Sequence, residues 1–265
     1  MRATLVSEWT KLRTQRGVLI AVASMCVLMV GMSTLAASEQ ETDAVLGGND
    51  DVVQIGLAGA VFAALAAVVA GASPMTSEYS TGMIRTTLTA TQGRLRVLAA
   101  KSVVLALVAF PLALGASVAA FLIAQPLLHE RGYALPAYPP VSITDPSAAR
   151  AVVGTALLLT AYCLIALGIG TVLRHPGASI AAGIGLVFVP LLMLGAFPEH
   201  IQERIVQVTP LAGMAVQSTT GRMLSMYAGD DWGMPIGPWQ GLGVAYAWAV
   251  GALVVGYAFL RRRDA

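Results

Sequence analysis

The sequence predicts an all-α polytopic membrane protein: six transmembrane helices, an N-terminal interfacial helix, and both termini in the cytoplasm. Three observations predict this. Of 265 residues, 57% are hydrophobic and only 11% are charged, against about a quarter charged in a soluble domain. The apolar residues gather into six runs, about 17–37, 53–73, 102–124, 151–173, 177–197 and 240–260, and none of these holds Asp, Glu, Lys, Arg or His. The bases between the runs fall mostly on one side.

Each run is close to the ~20 residues that cross a hydrocarbon core of ~30 Å as helix. Helix is the form required, because lipid offers no partners to backbone N–H and C=O groups. Residues 1–16 precede the first run. On a helical wheel Met1, Leu5, Val6, Trp9 and Leu12 share one face, with Ser7, Glu8, Thr10, Lys11 and Thr14 elsewhere. Arg2, Arg13 and Arg16 fall near the apolar arc, where long side chains snorkel. This is the pattern of a short helix lying in the membrane interface, with Trp9 at headgroup level. The plainer reading is an unstructured basic flank that only sets orientation. The first run is long and further spans follow it, so it reads as a retained span and not a cleaved leader.

Orientation follows from the bases. Arg2, Lys11, Arg13 and Arg16 precede the first span; Arg85, Arg94, Arg96 and Lys101 lie between the second and third. Arg174 lies between the fourth and fifth, and Arg261, Arg262 and Arg263 follow the sixth. Twelve of the 16 basic residues thus share one side. The opposite side has Arg131, Arg150, Arg204 and Arg222, and its first loop holds only acids, Glu39, Glu41, Asp43, Asp50 and Asp51. The bias toward cytoplasmic bases puts both termini inside.

The second span carries a small-residue stripe, Gly59, Ala63, Ala67 and Gly71, that suits close helix packing in lipid. Gly177, Ala181 and Gly185 repeat the spacing on the fifth, and Gly243, Ala247 and Gly251 on the sixth. An alanine-rich composition produces such stripes by chance as well. The fourth and fifth spans are joined by Arg174-His175-Pro176 alone, a tight hairpin. Pro111 and Pro190 interrupt the third and fifth spans, and the fifth reads as whole, broken or re-entrant. Outside, residues 125–150 are a proline-rich loop. In 198–239 the pattern predicts short helices at Glu199–Val208 and Ala212–Met226, with Trp232 and Trp239 at the interface. Cys26 and Cys163 lie in apolar runs and read as packing residues.

Several chemistries are excluded. The two lysines, Lys11 and Lys101, sit in no glycine-rich nucleotide loop. His129, His175 and His200 lie in separate loops without metal-ligand spacing. No span holds an ionisable residue for a proton or ion relay. The chain is therefore predicted to be no enzyme and to bind no cofactor or metal, and its energy for uphill transport has to come from a partner.

The cytoplasmic loop 74–101 is the one inside connection large enough for that partner. Ser73-Pro74 reads as the end of the second span. Ser77 is placed to cap a short helix starting at Glu78, which Gly82 weakens or turns. Arg94 to Leu98 read as an amphipathic approach to the third span. A solvated loop with orienting arginines is the plainer alternative.

The stretch Ser7-Glu8-Trp9-Thr10-Lys11-Leu12-Arg13-Thr14, together with Glu78-Tyr79-Ser80-Thr81-Gly82-Met83-Ile84-Arg85-Thr86-Thr87-Leu88, resembles actinobacterial permease subunits of ATP-binding-cassette transporters, type-2 exporter class. The resemblance implies two six-span permeases, identical or related, forming an export pathway in the bacterial plasma membrane. Two cytoplasmic ATPase subunits would hold the ATP and Mg, and no nucleic acid is involved. It implies an elbow role for residues 1–16, including Trp9, Lys11, Leu12 and Arg13. It implies ATPase coupling through Glu78, Tyr79, Gly82 and Arg85, with Arg94 and Arg96 behind them. On that reading Glu78→Ala leaves folding largely intact and uncouples transport. The alternative is a membrane sensor or anchor that recruits a cytoplasmic partner without transport. The transported substrate is not legible.

Overall fold

A computed structural model of the chain describes residues 2–39, 50–90, 93–135, 138–222 and 233–262. Met1, the loop acids Glu41 and Asp43, residues 223–226 of the second predicted outer helix, Trp232 and Arg263 lie outside the described residues.

The architecture is all helical, with no strand among the described residues beyond one isolated bridge between Arg222 and Gly233. In chain order the helices are α1 (Arg2–Thr14), α2 (Arg16–Glu39), α3 (Val52–Gly56), α4 (Ala60–Ser80), α5 (Met83–Ala90), α6 (Arg94–Glu130), α7 (Pro146–Leu173), α8 (Pro176–Met193), α9 (Glu199–Val208) and α10 (Pro238–Arg262). Short 3-10 segments follow α8, at Leu194–Ala196, and α9, at Pro210–Gln217. Among the described residues six helices are long and apolar enough to cross a membrane: α2, α4, α6, α7, α8 and α10. Six crossings return the chain to the face it started from, called the terminal face below.

The core is built on α4 and α7. Their most apolar windows are 72% and 78% buried, against 17% for α8 and 22% for α10. The small residues of α4 explain its central place. A Cβ at Gly71 would lie 2.0 Å from the Cys163 carbonyl oxygen of α7, and one at Gly59 would lie 2.2 Å from the Met29 carbonyl oxygen of α2. Ala63 and Ala67 between them are fully buried. By contrast, Gly185, Gly243 and Gly251 have nothing within 4 Å of such a Cβ. The similar stripes of α8 and α10 therefore face away from this chain.

Four expectations are corrected. The second span is two helices, broken at Leu57–Gly59, where Gly59 N–H donates to Ser33 Oγ at 3.0 Å. Pro74 does not end the span: α4 runs through it to Ser80. An interior proline removes one backbone hydrogen bond and crowds the preceding turn, at a cost of about 3 kcal/mol, and Pro74 is buried within the packed part of α4. Ser77 is consequently no N-cap; it lies inside α4, and its Oγ accepts from Gln15 Nε2 at 2.6 Å. The helical turn at the second outer site ends at Gln217, and all eight residues of Pro210–Gln217 are buried. Gly213 there abuts Leu158, in the middle of α7. The return loop, not the fifth span, dips into the bundle, since α8 is continuous through Pro190. The surface helix Glu199–Val208 forms as the pattern predicts.

Candidate functional site

At the terminal face the chain buries charge. Helix α1 lies across the bundle with Glu8 and Leu12 inward, 4% and 6% exposed, while Val6 and Trp9 face out. This places the polar side of the helix against other polar side chains. Glu78 comes from the last turn of α4 and Lys101 from the third turn of α6, 2% and 4% exposed. Lys101 Nζ donates to Glu8 Oε2 at 2.6 Å and to Glu78 Oε1 at 2.7 Å. Lys11 Nζ donates to Glu8 Oε1 at 2.9 Å and to Glu78 Oε1 at 2.8 Å. The four pairs close a ring of alternating charge: Glu8, Lys11, Glu78, Lys101 and back to Glu8.

The ring is formally neutral, which is what allows it to sit in a poorly hydrated place. Lys11 also donates to Thr87 Oγ1 of α5 at 2.9 Å, so the short helix is tied in as well. Gln15, just after α1, adds a bond to Ser77 of α4. Burial alone would lower the pKa of the Lys11 ammonium, but the hydrogen bonds and charges of Glu78 and Glu8 outweigh it and raise the pKa. Beside the ring lies a cavity of about 340 Å³, bordered by Lys11, Gln15, Ser77, Glu78 and Met83.

The turn from α4 into α5 needs Gly82, whose φ of 73° lies in the left-handed region. It leads into Met83–Ala90, where Arg85 is exposed. Tyr79 faces the other way along α4 and lies under the Arg174 guanidinium, 4.7 Å from its ring centre. Arg94, at the start of α6, caps α10: its Nη1 donates to the carbonyls of Leu260 and Arg261 at 2.7 and 2.9 Å. Cations are favoured at a helix C-terminus. Arg13 and Arg96 are exposed.

The structure thus brings Lys11, Glu78 and, beside them, Leu12 into one cluster. It sends Tyr79 and Arg94 to a second, where α4, α6, α7 and α10 converge, and leaves Trp9, Arg13, Arg85 and Arg96 on the surface. Sequence reasoning missed Glu8, Thr87 and Lys101. The available signal was scarcity: the chain's only two lysines both belong to the ring. Among the described residues no group of His, Cys, Asp or Glu is placed to hold a metal ion. Within the ring both lysines bond Glu78 Oε1, and Glu78 Oε2 has no hydrogen-bond partner. The ring's capacity is mechanical, since it fixes four helices to one another.

Six helices long and apolar enough to cross a membrane, with a charged tie at one face, define a multi-pass membrane protein. The chain belongs to the family of ABC-2 transporter proteins, whose family model matches residues 4–199, and is a permease component of an ABC transporter. The matched segment contains all four members of the ring. A search of curated proteins finds no match.

Proposed function

We propose that the chain is the membrane half of an ATP-driven exporter and that the buried ring couples it to a separate ATPase. Two such permeases, identical or related, line the path, and two cytoplasmic ATPase subunits bind ATP and Mg and close on each other. Both termini and the α5 hairpin are cytoplasmic, as the distribution of bases indicates. Closure of the ATPases presses on α5 and α1. The ring passes that displacement to α4 and α6, and thus to the centre of the bundle. Nucleotide drives transport only by favouring one arrangement of the spans over another.

The observation that carries this reading is the ring itself. It joins Glu8 and Lys11 of the N-terminal motif to Glu78 of the loop motif, 67 residues apart between Lys11 and Glu78, through bonds of 2.6–2.9 Å. Glu78 is buried, so its role is to transmit and not to touch a partner; exposed Arg85 is the contact candidate.

The test is isolation of the protein from its native membrane in mild detergent, with crosslinking from position 85. The expected result is a stoichiometric protein carrying a nucleotide-binding loop, crosslinked through the α5 hairpin. Crosslinks only to proteins without such a loop would replace this reading with recruitment of a cytoplasmic partner without transport.

A further inference from the structure

The face opposite the termini has a second polar site, unrelated to the ring. A cavity of about 490 Å³ lies among the start of α7, the strand-like segment after Gln217, and the start of α10. Arg150, Ser218, Thr219, Thr220, Gly237 and Gln240 border it. Its floor is held by a buried acid. Asp51, 4% exposed, caps α3 through Gln54 N–H and also accepts from the amides of Thr219 and Thr220 and from Thr219 Oγ1. The charge of Asp51 is therefore met by donors before any ligand arrives, and the threonine segment is fixed in place.

Two donors at the cavity are less well satisfied. Arg150 Nη2 donates to the Ser218 carbonyl at 2.5 Å, and its Nε has no partner. Among the described residues no carboxylate pairs with Arg150, although it sits at the edge of a bundle where a lone cation is costly. Ser218 is 3% exposed and its Oγ is also unpartnered. The third wall is the N-terminus of α10, a helix of 25 residues whose first amides and dipole favour negative charge. A guanidinium, the hydroxyls of Ser218 and Thr220 and a helix start thus converge from three sides, while the Thr219 hydroxyl is taken up by Asp51. A planar carboxylate uses two directions; a tetrahedral oxyanion uses all of them. Both α7 and α10 enter the membrane here, so the cavity lies at the depth of lipid headgroups.

We propose that this cavity binds the phosphate group of an anionic amphiphile. The site stands whether or not an ATPase partner is found, because it uses none of the terminal-face residues.

The experiment is native mass spectrometry of the full chain in detergent, titrated with phosphatidylglycerol, with zwitterionic phosphatidylcholine as the comparison of zero net charge and inorganic phosphate as competitor. Phosphatidylglycerol is expected to bind saturably and more tightly than phosphatidylcholine. Arg150→Gln should weaken it about tenfold, the loss of a charge-assisted hydrogen bond. Thr220→Val, at an exposed position whose hydroxyl reaches Asp51 Oδ2 only at 3.5 Å, should weaken it about threefold while the chain still folds, so the proposal is testable even where Arg150→Gln does not fold. Displacement by millimolar phosphate would identify the free anion as a sufficient ligand; retention of the lipid would identify the headgroup in its membrane setting. Equal affinity in wild type and Thr220→Val together with equal affinity for the two lipids, or no saturable binding of any probe, would overturn the proposal.

Discussion

Lys11 and Lys101 are the residues on which the account turns. A buried ion pair is a weak source of net stability, but breaking one leaves an uncompensated charge and costs about 3–5 kcal/mol. This revises the sequence-based expectation for Glu78→Ala. Glu78 is 2% exposed and accepts from both lysines, so its loss leaves two ammoniums facing one carboxylate. Glu78→Ala and Lys101→Met are each expected to lower the thermal midpoint in detergent well beyond a surface substitution. Lys101→Met combined with Glu78→Gln should recover part of the loss by restoring neutrality. The sign of the pH effect is also fixed. The folded pKa of Lys11 lies above its ordinary 10.5, so its stabilising share is complete below about pH 10 and lost as pH rises through the raised value. The stability gap between wild type and Lys11→Met should be constant from about pH 6 to pH 10 and close above that. A gap unchanged at higher pH would remove Lys11 from the ring. Glu8 was not legible as a site because a helical wheel finds only the apolar face. It set Glu8 only off the apolar face, whereas α1 meets other polar groups on that side.

Among the elements, the six spans were legible because charge-free runs of about 20 residues have one viable form in lipid. Their ends were not. Pro74 reads as a stop, yet α4 continues through it and thereby carries Glu78 into the ring. The break at Leu57–Gly59 lies inside a uniformly apolar run and leaves no mark in hydropathy. The stripe on α4 differs from those on α8 and α10 only in its surroundings. Gly71→Ala, which sets a Cβ 2.0 Å from a backbone oxygen, is expected to destabilise by about 1–3 kcal/mol. Gly185→Ala, with nothing within 4 Å, should be neutral or slightly stabilising in the single chain, since alanine is the better helix former. Detergent melting curves compare the two. Equal tolerance at both positions would mean that α4 and α7 are not in contact at Cys163.

At the scale of the molecule, two polar centres sit at opposite faces of an apolar bundle. The ring ties α1, α4, α5 and α6 at the terminal face; Asp51 ties the start of α3 to the segment after the buried 3-10 turn at the other. The core helices α4 and α7 lie between them. This arrangement suits a body that is pushed at one end and rearranges at the other. The permease class was legible from two short motifs, but the substrate was not, because no motif in the outer loops singles one out. The most direct test of coupling through the ring is ATP hydrolysis by the reconstituted permease–ATPase complex. Hydrolysis would be compared in wild type, Lys101→Met and Lys101→Arg, which keeps the cation between Glu8 and Glu78, each shown to retain the ATPase. The account predicts that Lys101→Met keeps the bound ATPase but loses the effect of the permease on its turnover, and that Lys101→Arg retains part of it. Wild-type behaviour in a folded Lys101→Met complex would contradict it.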